Sequence, residues 1–389
     1  MVKPFLFARL PLIHFGNGKI ALLPGLIRQY GMTVILVTDK ESFIGSSAAK
    51  ELFDSFQKHG IRYHHIIISN EPSPEIIDTA VSSLRHETVN AVIGIGGGSV
   101  IDAGKAISAM MYKQESVKEY LEGVGNRDHP GTKLPFIAVP TTAGTGSEAT
   151  KNAVISQIGK DGFKKSLRNE NFVPDNAIVD PELTLSCPKD ITAACGMDCF
   201  TQLTEAYLSD KSNEYTDAFA TEGLKAVKSS LERSYRNGQD IEARAGMSFA
   251  ALTSGICLAN AGLGIVHGFA SSIGGMYNIP HGIICGTLMA AANEETVKEL
   301  RKYPGNKSLT KYASLGKLFL GSEGKSDDYY IDGFIQLLQK LTNDFQLPGL
   351  RKYGLEDKDA ELICKITENK NNPVKFSAGD LIGIIKSRL

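Results

Sequence analysis

Residues Ala91–Lys105 read AVIGIGGGSVIDAGK, and residues Leu134–Glu148 read LPFIAVPTTAGTGSE. Each is a short apolar run that breaks into a loop of glycines and small hydroxyl residues. Gly96, Gly97, Gly98 and Ser99 fall where the first run, a strand, turns into a helical pattern. Small residues there let backbone N–H groups approach phosphate oxygens, and a helix N-terminus adds unpaired N–H groups and partial positive charge. Two such loops can line one polyanion site. A nucleotide cofactor is the first expectation.

Outward from these loops, the first half of the chain alternates. Val34–Thr38, Tyr63–Ile68, Ala91–Ile95 and Phe136–Val139 read as buried strands. Ala48–His59, Ser73–His86 and Ser99–Met111 read as helices, the second opening with a Ser cap and Pro and placing Ile76, Ile77, Ala80, Val81 and Leu84 on one face. Asn152–Ser156 and Ala177–Val179 are further strand candidates. Apolar strands alternating with helices predict a parallel sheet covered on both faces. After Asp180 the pattern turns helical, from PELTLSCPKDITAACGMDCFTQLTEAY through Met247–Ala259, His267–Gly275, Ile283–Val297, Ser308–Leu318, Asp332–Phe345 and Lys358–Thr367. The fold class expected is therefore α/β plus all-α: an N-terminal parallel-sheet dinucleotide-binding domain, residues 1–184, followed by a C-terminal helical domain, residues 185–389.

The totals bound the function. With 42 basic and 43 acidic side chains the net charge is −1, which offers no electrostatic footprint for nucleic acid. No apolar run reaches membrane-spanning length. The start, MVKPFLFARLPLIHFGNG, is apolar but broken by Pro4, Arg9 and Pro11, so no signal peptide is expected. The six cysteines show no C-x-x-C spacing, which predicts packed, reduced thiols in a cytoplasmic protein rather than a zinc ribbon or a redox dithiol.

Gly94-x-Gly96 nearly starts a dinucleotide fingerprint, but the last position of G-x-G-x-x-G is Ser99, and no acid follows at the usual distance. An acid appears earlier instead. Asp39 ends the Val34–Thr38 strand, where a carboxylate can accept from a ribose 2′-OH and repel a 2′-phosphate, favouring NAD over NADP. A turn or helix cap is the alternative for Asp39.

Taken together, GGGSVIDAGK, PTTAGTGSE, VDPELT, GMD-x(6)-EAY and the HG…PHG pair closely resemble the iron-containing (group III) alcohol dehydrogenases, of the dehydroquinate synthase-like superfamily. The resemblance runs in order from about residue 10 to at least 300. It implies a cleft between an α/β domain and a helical domain. Asp39 would take the adenosine ribose, and Gly97, Gly98 and Ser99 the pyrophosphate. Asn70, Thr141, Thr142 and Thr145 would contact the nucleotide. Lys164 would reach the ribose, with Lys165 competing for that role, and Asn152 would lie near the nicotinamide. Asp102 and Lys105 would organise the loop.

The family holds one divalent metal through an Asp and three His. Asp198, His267 and His281 match three of these, and Gln202 stands one helical turn after the Asp where the family has the remaining His. An amide oxygen is a weaker ligand than imidazole for Fe²⁺ or Zn²⁺, so either Gln202 or water would complete the site. Ser271 replaces a further family histidine that faces the substrate, which sends proton release through water, a ribose hydroxyl or Gln202. The activity implied is hydride transfer between a nicotinamide cofactor and a small primary alcohol or aldehyde, in a homodimer or larger homo-oligomer. The two replacements keep alternatives open: a metal-weak or metal-free reductase of the maleylacetate reductase type, or a catalytically silent nucleotide-binding protein. A lyase like dehydroquinate synthase fits the motifs less well.

Overall fold

The computed structural model describes residues 4–40, 43–303 and 305–389; Met1–Lys3, at the apolar start, lie outside them. The first half builds eight strands and four helices. In chain order they are β1 (Leu12–Phe15), α1 (Leu23–Arg28), β2 (Thr33–Asp39), α2 (Ser47–His59), β3 (Arg62–Ile68), α3 (Pro74–Leu84), β4 (Ala91–Gly96), α4 (Gly98–Met110), β5 (Phe136–Pro140), β6 (Asn152–Gln157), β7 (Phe163–Arg168) and β8 (Asn176–Val179). Six strands form one parallel sheet in the order β1-β8-β5-β4-β2-β3.

Residue alternation explains the two covered faces. Ile35, Val37, Val92 and Ala138 pack into a core with α3 and α4. Their neighbours Val34, Leu36, Ile93, Ile137 and Val139 point the other way, onto α1 and α2. The chain leaves β2 in opposite directions toward β3 and, later, β4. A doubly wound sheet opens its ligand crevice at such a reversal, outside the carboxyl ends of the strands. Asp39 ends β2 and Gly96 ends β4, and these two strands are hydrogen-bonded neighbours.

Two parts of the sheet region depart from expectation. Asn152–Ser156 is a strand, but it leaves the main sheet and pairs antiparallel with β7. The partner, FKKSLR, is mostly half-buried and carries two lysines, so it lacks the alternation that marks a strand. Leu12–Phe15 is an unexpected strand on the sheet edge beside β8. Only four residues long, nowhere fully buried and set in an apolar start broken by Pro11, it shows no strand alternation in the sequence.

The second half is helical: α5 (Lys189–Leu208), α6 (Glu214–Arg236), α7 (Ile241–Ala261), α8 (Ile265–Met276), α9 (His281–Leu300), α10 (Lys307–Leu320), α11 (Asp327–Asp344), α12 (Ala360–Ile366) and α13 (Ala378–Lys386). Its core is continuous, with Phe200, Leu203, Leu224, Phe269, Leu288 and Phe334 among its members. A small apolar seam, Ala149, Val179, Leu252 and Ile256, joins it to the sheet region. Among the described residues no single helix is long and apolar enough to cross a membrane, and all six cysteines are unpaired.

Candidate active site

The nucleotide crevice is built by local backbone chemistry. Helix α4 starts at Gly98 behind Gly97, an N-cap with no side chain to accept from the first turn, where Val100 N donates to Gly97 O (3.0 Å). By contrast Ser46 and Ser73 cap α2 and α3 with their hydroxyls. The second loop lies against the first: a Cβ on Gly98 would sit 2.9 Å from Thr145 Oγ1, and one on Gly97 3.5 Å from Thr142 Oγ1. Thr141 N donates to Gly96 O (3.0 Å), while the buried Thr141 Oγ1 has no partner in the protein. Gly146 has a positive φ of 61°, and a Cβ there would stand 2.3 Å from Ala251 O on α7. Only glycine lets the loop turn and touch the helical half at that point.

A buried ammonium holds this loop in place. Lys105 Nζ donates to Ser147 O (2.9 Å), Ser147 Oγ (3.1 Å), Thr150 Oγ1 (3.2 Å) and Asn152 O. Asp102 accepts from Ser147 Oγ and from Val154 N (3.1 Å). Burial drives the Lys105 ammonium down to about 8, although the neighbouring Asp102 and Glu148 favour its charge. The loop-organising role expected of Asp102 and Lys105 thus has a direct geometric basis.

The other candidates distribute along the cleft. Asn70 lies exposed just beyond β3. The two candidate lysines separate clearly: Lys164 is buried and paired with Glu71 at 2.9 Å, whereas the more exposed Lys165 pairs with Glu368 at 3.4 Å. Asn152 opens β6, and its Oδ1 accepts from Arg168 Nε (3.1 Å) on the paired strand.

The metal candidates come from three helices. Asp198 is on α5, His267 on α8 and His281 at the first position of α9. His267 Nε2 and His281 Nε2 lie 3.4 and 3.6 Å from the same oxygen, Asp198 Oδ1. That oxygen is buried and has no hydrogen-bond partner. An orphaned carboxylate oxygen facing two imidazole nitrogens is a costly arrangement unless a cation binds there, so these residues fit a divalent metal. Burial alone would raise the Asp198 pKa, but His281 and His267 outweigh it and hold the carboxyl down at about 2. Burial takes His281 down to about 4 against the pull of Asp198, which keeps its imidazole neutral as a ligand requires.

Two further residues join the cluster: Glu205, which opens the EAY of the GMD-x(6)-EAY motif but was given no role there, and Cys285, which lies in none of the motifs. Glu205, two turns beyond Asp198 on α5, accepts from His267 Nδ1 (2.7 Å), Gly264 N (2.9 Å) and Val266 N (2.6 Å). A carboxylate on Nδ1 fixes the tautomer that turns Nε2 toward a metal. Cys285, one turn beyond His281, brings its Sγ to 3.8 Å from His267 Nε2 and 3.7 Å from His281 Nε2. One ligand atom from each of Asp198, His267, His281 and Cys285 lies within 4.8 Å of the others. The i, i+4 spacing of His281 and Cys285 was the available signal, hidden because a single apolar-flanked cysteine reads as a packed thiol.

Gln202 makes a structural link besides the ligand role expected of it. Its amide nitrogen donates to Thr145 O (2.9 Å) and Ser254 Oγ (2.8 Å), tying the helix that carries Asp198 to the second glycine loop. Only its oxygen is left for any other partner. Ser271 Oγ donates to His267 O (2.9 Å) and sits 3.3 Å from Lys370 Nζ, which also donates to His267 O (2.9 Å).

The comparisons with known proteins agree with this geometry. Residues 11–181 match the family of iron-containing alcohol dehydrogenases, and residues 192–389 match the C-terminal region of the same family. Alcohol dehydrogenase 4 of Saccharomyces cerevisiae is 32% identical, covering 97% of this chain and 96% of its own length. An NAD-dependent methanol dehydrogenase of Bacillus methanolicus is 29% identical over 97% of this chain and 98% of its own. The solved structure of sulfoacetaldehyde reductase from Bifidobacterium kashiwanohense in complex with NAD⁺ superposes with a TM-score of 0.85 at 25% identity, covering 99% of both chains. A parallel-sheet half, a helical half and an Asp–His–His cluster, with family matches along nearly the whole chain, place this protein in the iron-containing alcohol dehydrogenase family.

Proposed function

We propose that this alcohol dehydrogenase uses NAD in preference to NADP, and that Asp198, His267 and His281 hold its divalent metal, Fe²⁺ or Zn²⁺. The observation that carries the metal assignment is the convergence of two imidazole nitrogens on one buried, unpartnered carboxylate oxygen. When bound, the metal supplies Lewis acidity toward an alcohol oxygen and the nicotinamide accepts the hydride. The chain's own residues do the rest. Gly97, Gly98 and Ser99 offer backbone N–H groups to the pyrophosphate, while Thr141, Thr142 and Thr145 line the facing loop. Asn70, Lys164 and Asn152 belong to the remaining nucleotide contacts in this reading. Glu205 orients His267, and Gln202 holds the loop against the metal helix. Asp39 ends β2, and in this reading its carboxylate accepts from a ribose 2′-OH and repels a 2′-phosphate.

Ser271 has no imidazole, and its hydroxyl proton is already given to His267 O. Proton release therefore passes through water or a ribose hydroxyl. The unpaired cysteines support a cytoplasmic setting, and the family supports a homodimer or larger homo-oligomer. The test is aldehyde-dependent oxidation of NADH by chelator-stripped protein with Fe²⁺ or Zn²⁺ returned singly. Recovery with one metal is expected. Full turnover by the stripped protein would replace this reading with a metal-free reductase, and NADPH used as well as NADH would remove the role given to Asp39.

A second reading concerns the substrate's tail, and Lys370 favours it. This exposed residue adopts a positive φ of 49°, a strained conformation for a side chain with a Cβ. Its ammonium stands on Ser271, the position that faces substrate in the family. A cation held there suits an alcohol or aldehyde carrying an anionic group, as sulfoacetaldehyde does for the Bifidobacterium relative. Lys370→Ala is expected to raise KM for a carboxylated or sulfonated aldehyde and leave an uncharged aldehyde of equal length unchanged. Equal effects on both would remove the reading.

A further inference from the structure

We propose that Cys285 is the fourth protein ligand of the metal, so that the site is an Asp–His–His–Cys set in which a thiolate has taken over from the position held by Gln202. The inference rests on the metal reading above and deepens it. Three observations lead to it. First, the amide nitrogen of Gln202 donates to Thr145 O and Ser254 Oγ, which leaves only a neutral amide oxygen, a weaker ligand than a thiolate, for the metal.

Second, the distances match a coordination tetrahedron. Ligand bonds of about 2.0–2.1 Å to nitrogen and oxygen and about 2.3 Å to sulfur give edges of roughly 3.4 Å between nitrogen and oxygen and roughly 3.6 Å between nitrogen and sulfur. The corresponding separations are 3.4 and 3.6 Å from Asp198 Oδ1 to the two imidazole nitrogens. From Cys285 Sγ to the same nitrogens they are 3.8 and 3.7 Å. One ligand atom from each of the four residues lies within 4.8 Å of the others.

Third, the cluster is largely buried, open only at His281, and otherwise unexplained. Asp198 is 2% exposed, its Oδ1 has no partner, and Cys285 is fully buried. A thiol packed merely as a small hydrophobe gains nothing from pointing at two imidazole nitrogens and a bare carboxylate. On binding, the sulfur–metal bond forms and the thiol proton leaves to solvent, with no change in oxidation state. A soft thiolate also shifts the preference of the site toward Zn²⁺ over Fe²⁺.

The test uses Co²⁺ as the probe, titrated into the chelator-stripped full-length protein and followed by absorption. Wild type is expected to show visible ligand-field bands together with a near-ultraviolet sulfur-to-cobalt charge-transfer band. Cys285→Ser is expected to keep the ligand-field bands, lose the charge-transfer band, and release Zn²⁺ to a competing chelator on the order of 10- to 100-fold more readily. Gln202→Ala is expected to keep both bands. The cadmium-113 resonance of the Cd²⁺-loaded wild type, which moves strongly downfield when a thiolate is bound, gives the same answer without a substitution. Cobalt bound with ligand-field bands and no charge-transfer band would overturn the Cys285 assignment and leave the Asp198–His267–His281 metal reading standing. A charge-transfer band that survives Cys285→Ser would overturn it in favour of another thiol. Failure of the wild type to take up Co²⁺ would overturn both.

Discussion

The proposed nucleotide crevice and the proposed metal cluster would solve the same problem, holding a charged group in a fixed place, by opposite means. The crevice works through backbone. Its N–H groups are presented by a helix start without a side-chain cap and by loops of glycine and threonine packed at van der Waals distance. The candidate metal cluster works through side chains alone, gathered from three helices, with Asp198, His267 and Cys285 buried and His281 half-buried. A backbone site is written in contiguous sequence and is disturbed chiefly by adding atoms. A side-chain site is assembled across the fold and is disturbed chiefly by removing them.

Removing an atom from the cluster should have the largest effect. Asp198→Ala takes away the one oxygen that both imidazoles face, and a metal's charge stabilisation is worth several kcal/mol. A fall in kcat/KM on the order of 10³-fold or more is expected, measured with NADH and aldehyde under saturating metal. Activity near wild type would erase the contrast, because the cluster would then be a structural polar core. One step outward, Glu205→Gln keeps a hydrogen-bond acceptor but removes the charge on His267 Nδ1. Metal affinity should drop on the order of 10- to 100-fold in a chelator competition, with nucleotide affinity unchanged.

The crevice should respond the other way. Gly98→Ala adds a Cβ at 2.9 Å from Thr145 Oγ1. The loops must part, so NADH binding is expected to weaken on the order of 10-fold, about 1–2 kcal/mol, within the usual range for overpacking. Metal content should be unaffected. Loss of metal in this variant would show that the Thr145–Gln202 link transmits strain between the regions and that they are not independent.

The smallest expected effect on the sites comes from a residue outside both. His129 Nε2 donates to Ala109 O (3.2 Å) and its Nδ1 accepts from Gly131 N (3.0 Å), so the ring packs neutral against Phe172. Desolvation, with help from Lys113, lowers its pKa to about 4. The unfolded chain takes up the proton near pH 6.5 and the folded one only near 4. Stability is therefore expected to fall as pH drops across that window, by on the order of 3 kcal/mol, with both sites unaffected. His129→Gln should flatten this part of a denaturation-versus-pH curve without altering either site.

Much of the crevice was legible because the physics there is local. Apolar runs of four to seven residues, each ending in glycine or a small polar residue, already specify strand, turn and helix start, and Val34–Thr38, Ala91–Ile95 and Phe136–Val139 fall where expected. The same local reading failed for Asn152–Ser156. Whether a strand joins the main sheet or a hairpin depends on its partner, and the partner's two lysines hide it. In the helical half the pattern marked α5 and α7 to α12, passed over α6 and α13, and said nothing of which faces meet.

The sequence alone thus carried the fold class, the carboxyl-end loops and, through family resemblance, three candidate metal ligands. Only the tertiary structure selected Lys164 over Lys165 as the residue turned inward, set Glu205 behind His267, turned the Gln202 amide toward Thr145 and brought Cys285 to the other two helices' ligands. The reason is physical. Backbone conformation follows from near neighbours in the chain, whereas a buried side chain's partner is decided by how whole helices pack, which no short stretch of residues encodes.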